Sequence, residues 1–461
     1  MSADFGCSPR QAGPVAPRLY ERGFCSEPMS SANTQPASSN TRRIFFVIIL
    51  FLLAGYALQV FSPIRLCYDA TVLLSMGESA AYGGGFLDHG VKTVFPPGYP
   101  AALAVLLRMG LGHPSAIIGL NLVLLVVGLL GTYRVLRDGF FDSQMAALLV
   151  CTLSLLSYVL IKHFTMPLSD VAFLGITMSC LALMSHASRL KWGTSFVGWA
   201  AASWVLVVVA ISVRRIGVSL IPAFLFLLVS RPEIRPMLKR ISPRAKWIAA
   251  LIVLAAVLGT AIVVSTTSTL GDLTVQANRS GISRMMLQIA SFRGTELGEL
   301  ATNIPAAKLP AAARRLVPWI GFAALLPILA GLFTKRRTAT PVDVYFASYL
   351  GILFLWPYYD ARFWLPVIPL LLAYSGLAIA RLKNRGLVRT GVAIYGSVFA
   401  ILGVIALVYS TRISFAGPRF PDVYGDGTLR PSYCAVFHTC AGTIPADRID
   451  PKVVEVLQRY R

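Results

Sequence analysis

The sequence predicts an all-α protein that crosses a membrane many times. Of its 461 residues, 56% are hydrophobic and only 13% are charged, which is too apolar a composition for one water-soluble core. A bilayer core of roughly 30 Å needs about 20 apolar residues per helix, and stretches of about that length recur along the chain. We count eleven such stretches, so the predicted fold is a polytopic integral membrane protein.

The first predicted span, residues 44–61, follows a polar tail that is rich in Ser, Pro and Ala. This tail, residues 1–43, has too little hydrophobicity to fold by itself, so we expect it to be disordered. The apolar run is too long for a secretory signal and is interpreted as a retained signal anchor. The other predicted spans are approximately residues 115–133, 143–161, 170–187, 194–212, 216–230, 247–265, 316–334, 342–357, 363–380 and 389–409.

The distribution of Lys and Arg among the short loops predicts the orientation. If the N-terminal tail is cytoplasmic, the basic loops all fall on the cytoplasmic side: residues 134–137, 189–191, 231–246, 335–337 and 381–389. This alternation requires that the 13-residue segment 99–111 does not cross the membrane, for which it is too short. We therefore expect a plasma (inner) membrane protein with a cytoplasmic N-terminus and an extracytoplasmic C-terminus.

The net charge of +22 is explained mainly by this topology and by affinity for anionic lipid, and no nucleic-acid-binding module accompanies it.

The predicted topology divides the chain into four parts. They are the cytoplasmic tail 1–43, a membrane module 44–232 with external loop 62–114, a second membrane module 233–410 with external loop 266–315, and a small external tail 411–461. The loop 266–315 is predicted to contain an amphipathic helix near residues 282–292.

Two cysteines of the external tail lie close together in the stretch "CAVFHTC". In an oxidising compartment, Cys434 and Cys440 could close a small disulfide loop. A Cys/His metal site with His438 is the alternative, but the stretch lacks a second pair of ligands.

Ionisable residues collect in the first external loop rather than within the spans. The stretch "YDATVLLSMGESAAYGG" (68–84) predicts a short amphipathic helix that starts near Asp69 and ends at a run of glycines. The stretch "FLDHGVKTVFPPGYP" (86–100) predicts a rigid turn, because two prolines fix φ and Gly98 permits a sharp bend. Such a turn would fix Lys92 relative to Asp69.

This loop resembles that of the GT-C glycosyltransferases that use polyprenyl-phosphate sugars, the group of protein O-mannosyltransferases, lipid A aminoarabinose transferases and lipopolysaccharide-core galacturonosyltransferases. The resemblance lies in the Asp after a Tyr and in "PPGYP". Three later stretches also carry it, namely "MPLSDVAFL" (166–174), "VRRIGVSLIP" (213–222) and "DARFWLPVIPLLL" (360–372). It covers most of residues 60–232 and implies a GT-C-like fold in which residues 44–232 form the catalytic module.

The resemblance also implies two carboxylates. It places the catalytic Asp in the first external loop, at Asp69, and a second one after the third span, at Asp170. Many members have Asp-Glu at the first position, whereas Ala70 follows here, so a role of the adjacent Glu would be absent or be taken by Glu78 or Asp88. Asp is also favoured at helix N-termini whatever the function, so capping is an open alternative for both sites.

The implied reaction explains the residue types. Transfer of a sugar from a lipid phosphate to a hydroxyl passes through an oxocarbenium-like state, and a nearby carboxylate can take the hydroxyl proton. The departing phosphate develops negative charge, which cations at the outer face would stabilise. We expect Asp69 to be the base, and the candidate phosphate-binding cations are Lys92, Arg214, Arg215 and Arg362.

Some of these residues have simpler explanations. The Arg214–Arg215 pair could instead snorkel to lipid phosphates. His89 beside Asp88 could orient or relay a proton, although a loop His is often incidental, and Tyr99 of the "PPGYP" box completes the supporting set. A divalent metal is an open question, since it would require the two carboxylates of the site to converge.

The sequence therefore predicts an integral-membrane glycosyltransferase with a polyprenyl-phosphate sugar donor and an extracytoplasmic acceptor, which could be a lipid, a glycan or a protein. The resemblance implies that the transfer inverts the anomeric carbon. A multi-span transporter or lipid flippase is the alternative, and a scaffold without catalysis is a third. A transporter predicts functional charges near the middle of the spans. Here the charges collect on the outer loops, which favours chemistry at the membrane surface.

Overall fold

The computed structural model describes residues 39–231, 233, 281–382, 385–424, 429–438, 440 and 445–460. Three predictions lie wholly or mostly outside these residues: the disordered tail up to residue 38, the span at 247–265 and the start of the external loop at 266–280. Residues 39–43, the end of the predicted tail, belong to the first helix.

The described part of the chain is mainly helical. Its helices are α1 (Ser39–Leu58), α2 (Tyr68–Ala81), α3 (Gly98–Arg108), α4 (Pro114–Gly139), α5 (Gln144–Leu155), α6 (Tyr158–Phe164), α7 (Ser169–Ala187), α8 (Thr194–Val213), α9 (Leu220–Val229), α10 (Ile282–Thr302), α11 (Ala311–Thr334), α12 (Pro341–Phe354), α13 (Ile368–Ile379), α14 (Arg385–Ser414), α15 (Phe420–Val423), α16 (Arg430–Phe437) and α17 (Pro451–Arg459). The strands β1 (Leu87–Asp88) and β2 (Val91–Lys92) form a short antiparallel hairpin.

Seven helical segments of the described residues are long and apolar enough to cross a membrane, so the protein is an all-α polytopic membrane protein, as predicted. Each of them overlaps a predicted span. They are Asn40–Phe61, Pro114–Gly139, Ser169–Ala187, Thr194–Val213, Ala311–Thr334, Ala361–Ile379 and Gly386–Ser414.

Three predicted spans differ from the structure, and the count of eleven is not confirmed. The span at 143–161 is divided into α5 and α6, which are bent by 55° relative to each other. The spans at 216–230 and 342–357 correspond to α9 and α12, which have 10 and 14 residues. Helices of that length do not by themselves cover a hydrocarbon core of roughly 30 Å.

The break between α5 and α6 is stabilised by a side chain from another helix. Asn303, just after α10, donates its amide to Leu156 O at 2.9 Å and accepts from Tyr158 N at 2.8 Å. Backbone groups that a broken helix frees inside a membrane protein must be satisfied internally, and an inserted side chain is a known cause of a kink. Because Asn303 is 145 positions from Tyr158, the length of an apolar run cannot predict this bend.

Two helices outside the long spans differ from their predicted character. Instead of having one apolar face, α2 is buried from Ala70 to Glu78, because α3 and the C-terminal helix α17 both pack against it. The helix predicted near 282–292 continues to Thr302 as α10, and most of its buried residues lie in its second half. Helix α3 has 11 residues, which agrees with the expectation that this segment is too short to span.

Close packing of glycines joins α10 to α11. Gly294 and Gly298 are four residues apart on α10 and face Gly321 on α11. A Cβ atom at Gly298 would overlap the carbonyl group of Val317, and one at Gly321 would overlap that of Gly294. Small residues at this spacing let helix backbones approach closely in membrane proteins. This contact fixes α10 against α11.

We predict that Gly298→Ala destabilises the protein by roughly 1–3 kcal/mol, the usual cost of overpacking, because the new methyl group has no space beside Val317. Thermal unfolding in detergent micelles measures the effect. Gly351→Ala in α12 is the matched control, since nothing lies within 4 Å of a Cβ there. Equal melting temperatures for the two variants would contradict the close approach of α10 and α11.

Candidate active site

Asp69 lies in the first turn of α2, and its side chain is 26% exposed. The N-cap of α2 is Cys67 rather than Asp69. The carboxylate of Asp69 forms an ion pair with the guanidinium of Arg362. The positive end of the helix also favours a carboxylate at this position, but the side chain is engaged by a residue 293 positions away and is not a simple cap.

Arg362 lies in a 3₁₀ segment, Ala361–Val367, just before α13. Asp360 caps this segment, because its Oδ1 accepts from Arg362 N at 3.0 Å, and its Oδ2 lies 2.6 Å from Arg362 Nε. Arg362 is therefore held between Asp360 and Asp69. Sequence reasoning quoted the "DARFW" stretch but did not single out Asp360, although an Asp two residues before an Arg in a loop is a capping pattern that could have indicated it.

A second ion pair lies beside the first. Asp170, in the first turn of α7, is 1% exposed and pairs with Arg214, which directly follows α8. The guanidinium carbons of Arg214 and Arg362 lie 5.6 and 5.7 Å from the ring centroid of Phe363. The two pairs therefore form one cluster around this ring. We call the set Asp69, Asp170, Arg214, Asp360 and Arg362 the Asp/Arg cluster.

The "PPGYP" turn packs against the same end of α8. A Cβ atom at Gly98 would lie 2.6 Å from the carbonyl carbon of Ser212, so only glycine fits there. The hydroxyl of Tyr99 is 3.3 Å from Asn121 Oδ1, and the Asn121 amide donates to Phe164 O and Met166 O at 2.9 Å. The turn thus ties α3 and α4 to the loop that leads to α7. Sequence reasoning included Tyr99 but missed Asn121, which lies inside a predicted span.

The two remaining predicted cations do not join the Asp/Arg cluster directly. Arg215 donates to the carbonyl of Val94 in the loop after the hairpin, so it holds this loop against the end of α8. Lys92 is exposed at the end of β2 and makes no ion pair with the described residues. The structure therefore gives Arg215 a structural contact and leaves Lys92 on the surface of the first external loop.

The predicted supporting carboxylates lie at the other end of α2 and contact the C-terminal helix. Glu78 is 8% exposed and pairs with Arg459. Since Glu78 is nine residues after Asp69, a helical rise of 1.5 Å per residue separates their backbones by about 13 Å. Glu78 therefore does not lie beside Asp69 as a neighbouring Glu would. Asp88 does not take that position either, because it contacts His89 and also Lys452 of the C-terminal helix.

Asp88 and His89 form a small polar group at the hairpin. Asp88 Oδ1 lies 2.7 Å from His89 Nδ1 and Asp88 Oδ2 lies 3.6 Å from Lys452 Nζ, while His89 Nε2 lies 3.4 Å from Glu455 Oε2. Burial raises the pKa of Asp88, but hydrogen bonds from His89 and Ser75 and the nearby positive charges outweigh burial and leave this pKa below its usual value. These contacts connect the hairpin to α17.

The C-terminal tail also holds the segment that precedes Asp69. The hydroxyl of Tyr433 accepts from Leu66 N at 2.9 Å and donates to Ile64 O at 2.7 Å, and Tyr424 donates to Leu66 O at 2.8 Å. The sulfurs of Cys434 and Cys440 are bonded, so the predicted pairing is present next to Tyr433. The tail, which sequence reasoning left without a role, therefore packs on the first external loop.

The described residues do not form a metal site. Asp69 and Asp170 each pair with an arginine instead of converging on a common point. A group of three or more His, Cys, Asp or Glu side chains that could hold a metal ion is absent from the part of the chain that the structure describes. The geometry of the Asp/Arg cluster suits an anion or a hydroxyl group better than a divalent cation, since each guanidinium offers five N–H donors.

The chain matches no protein-family model and no curated protein. Among solved structures, it is similar to ArnT from Cupriavidus metallidurans bound to undecaprenyl phosphate, with 13% identity over 92% of this chain and 75% of that chain and a TM-score of 0.45. For apo ArnT the identity is 14%, with the same coverage and a TM-score of 0.47.

It is also similar to the oligosaccharyltransferase AglB from Archaeoglobus fulgidus in complex with an inhibitory peptide and a dolichol-phosphate. Here the sequence identity is 11%, the match covers 90% of this chain and 61% of that chain, and the TM-score is 0.43. These proteins belong to the GT-C group that the sequence resembles. At such identities and TM-scores, the likeness assigns neither an activity nor residue roles to this chain.

We predict that Arg459→Ala loosens the tail, because it leaves the buried Glu78 carboxylate without its cation, at a cost of roughly 1–3 kcal/mol. Limited proteolysis of a C-terminally tagged protein should show faster loss of the tag. Arg448→Ala on the same tail is the control, since Arg448 is exposed and forms no ion pair with the described residues. Adding Glu78→Gln to Arg459→Ala should restore much of the resistance. A tag lost equally fast from all three variants would contradict the pairing.

Proposed function

We propose that the chain is an integral-membrane glycosyltransferase that moves a sugar from a polyprenyl-phosphate donor to a hydroxyl group of an extracytoplasmic acceptor. The observation that carries this proposal is the Asp/Arg cluster, in which three carboxylates and two guanidiniums from four separate segments meet beside the "PPGYP" turn. Partly buried groups that can bind a phosphate and accept a proton at one place are what this reaction requires.

In the proposed reaction, Asp69 is the general base. The acceptor oxygen attacks the anomeric carbon while its proton passes to the Asp69 carboxylate. The bond between the anomeric carbon and the phosphate oxygen breaks, and its electron pair stays on the lipid phosphate. Because attack and departure occur on opposite faces of the sugar, one displacement of this kind inverts the anomeric carbon.

Arg362 and Arg214 bind the phosphate of the donor. A guanidinium that pairs with one carboxylate keeps further N–H groups for a second anion, and its planar fork suits phosphate oxygens. Asp360 fixes the direction of the Arg362 side chain through its contact with Nε. As the phosphate gains charge during transfer, these fixed donors stabilise it more strongly than they stabilise the bound substrate.

The cluster lies on the extracytoplasmic side. Contacts at the opposite ends of the helices support this placement, because predicted cytoplasmic loops meet there. Lys335 follows α11, and its Nζ donates to Gly139 O at the end of α4. Arg189 follows α7, and its Nη1 lies 3.2 Å from Asp138 Oδ1. The first external loop and the C-terminal tail, by contrast, pack on each other near Asp69.

A transporter or flippase is disfavoured by the position of the charges. The residues of the Asp/Arg cluster lie at helix starts, helix ends and loops, rather than near the middle of the spans. Coupling and substrate sites of transporters lie near the bilayer midplane.

We predict that Asp69→Asn lowers sugar transfer by roughly 10²–10⁴-fold, the usual contribution of a general base. Purified protein, labelled polyprenyl-phosphate sugars and a membrane extract with acceptors provide the assay, and melting temperature confirms folding. Asp142→Asn, an exposed residue between α4 and α5, is the matched control and should keep full activity. Transfer that survives in Asp69→Asn would remove Asp69 as the base.

We predict that a membrane-impermeant maleimide applied to intact cells labels Lys92→Cys and does not label Arg336→Cys, because the two exposed positions face opposite sides of the membrane. The background protein has Cys7, Cys25 and Cys67 replaced by serine, and permeabilised cells, in which both sites should react, serve as the control. The reverse pattern would place the Asp/Arg cluster at the cytosol and exclude the proposed reaction side.

A further inference from the structure

The second half of α10 carries ionisable side chains that are almost fully buried. Arg293 and Glu296 are 0% exposed, and Glu299, one turn further on, is 5% exposed. Burial of a charged group is costly unless it is paired and hydrogen-bonded. Their positions three residues apart place them on one face of the helix, so a specific set of partners is expected on that side.

Glu296 binds the segment that carries Arg362. Its Oε1 accepts from Asp360 N at 2.7 Å, and its Oε2 accepts from Trp364 Nε1 at 2.7 Å. Oε2 also lies 2.8 Å from Arg293 Nη1. One carboxylate thus holds the chain two residues before and two residues after Arg362.

Arg293 extends this contact toward the N-terminus of the segment. Its Nη2 donates to the carbonyl of Tyr358 and lies 3.5 Å from Trp356 O. Together, Arg293 and Glu296 contact four positions of this segment, namely residues 356, 358, 360 and 364. Burial raises the pKa of Glu296 to about 7, although the charge of Arg293 and the N–H of Trp364 favour the ionised form.

We infer that Glu296 is a positioning residue of the transfer reaction, which holds Asp360 and Trp364 so that the Arg362 guanidinium meets the donor phosphate. This inference rests on the proposed function. It assigns no contact between Glu296 and the substrate.

The connection from Glu296 to the reacting groups has two steps. The carboxylate fixes the backbone N–H of Asp360, and the Asp360 side chain contacts both the backbone N and Nε of Arg362. A displacement at Asp360 therefore moves the guanidinium that pairs with Asp69. Misplacement of catalytic groups by about 1 Å is enough to cost about 10²-fold in rate.

Glu296→Gln tests the inference. Its matched control is Asp343→Asn at the start of α12, because Asp343 is also buried, accepts from Tyr374 Oη at 2.6 Å and from Thr340 N at 2.7 Å, and has a neighbouring cation. Two readouts are compared. One is hydrogen exchange of residues 356–366, and the other is kcat and KM for the polyprenyl-phosphate sugar per folded protein.

For Glu296→Gln we expect faster exchange in residues 356–366 and at least a tenfold lower kcat/KM. The effect on activity should act through Arg362. In an Arg362→Lys background, Glu296→Gln should therefore change kcat/KM by less than twofold, which is the result that a purely structural role would not give.

Asp343→Asn should leave exchange in this segment unchanged and kcat/KM per folded protein within twofold. If Glu296→Gln does not fold, Trp364→Phe replaces it, since it removes the N–H that donates to Glu296 Oε2 and keeps an aromatic ring at this position.

Two results would overturn the inference. One is unchanged exchange in residues 356–366, and the other is an equal loss of kcat/KM in the wild-type and Arg362→Lys backgrounds. A wild-type protein that transfers no sugar, with the exchange difference intact, would overturn the proposed function and leave Glu296 with a structural contact alone. The exchange and transfer measurements therefore separate the two failures.

Discussion

The ion pair between Asp69 and Arg362 is the contact on which the arrangement of the site depends. It joins the first external loop to the segment before α13, across 293 positions of sequence. Both side chains are largely buried, and an unpaired charge at a buried position is costly. The pair therefore requires that α2 and the 3₁₀ segment Ala361–Val367 keep a fixed distance, and the neighbouring contacts serve this requirement.

Each partner of that pair is held by a separate set of polar contacts. On the Asp69 side, the C-terminal tail binds the backbone before α2 through Tyr433 and packs α17 against its far end. On the Arg362 side, α10 binds the chain through Glu296. Hydrogen bonds are directional, so such contacts set a position that apolar packing between smooth helices would leave less defined. The protein thus combines apolar spans with polar supports at their ends.

The membrane character and most long helices could be predicted from the sequence, because an apolar run of sufficient length is a local property. The bend at residues 156–157 could not be predicted, since its backbone groups are satisfied by Asn303. Among the site residues, Asp69, Asp170, Arg214 and Arg362 were predicted, and the structure brings them together. Glu78 and Asp88 were expected near Asp69 but contact α17, because the position of a terminal helix depends on long-range packing.

The sequence by itself determined that this chain is a helical membrane protein and which charged side chains are available outside its spans, since composition and hydrophobic length act locally. Only the tertiary structure decided which of these charges pair. Asp360, Asn121 and Glu296 gained their importance there, because a buried polar group is selected by the partners that the fold places within hydrogen-bond distance. The backbone carbonyls that Asn121 binds and the Asp360 and Trp364 groups that Glu296 binds are 43 to 68 positions away in sequence, and no local pattern specifies them.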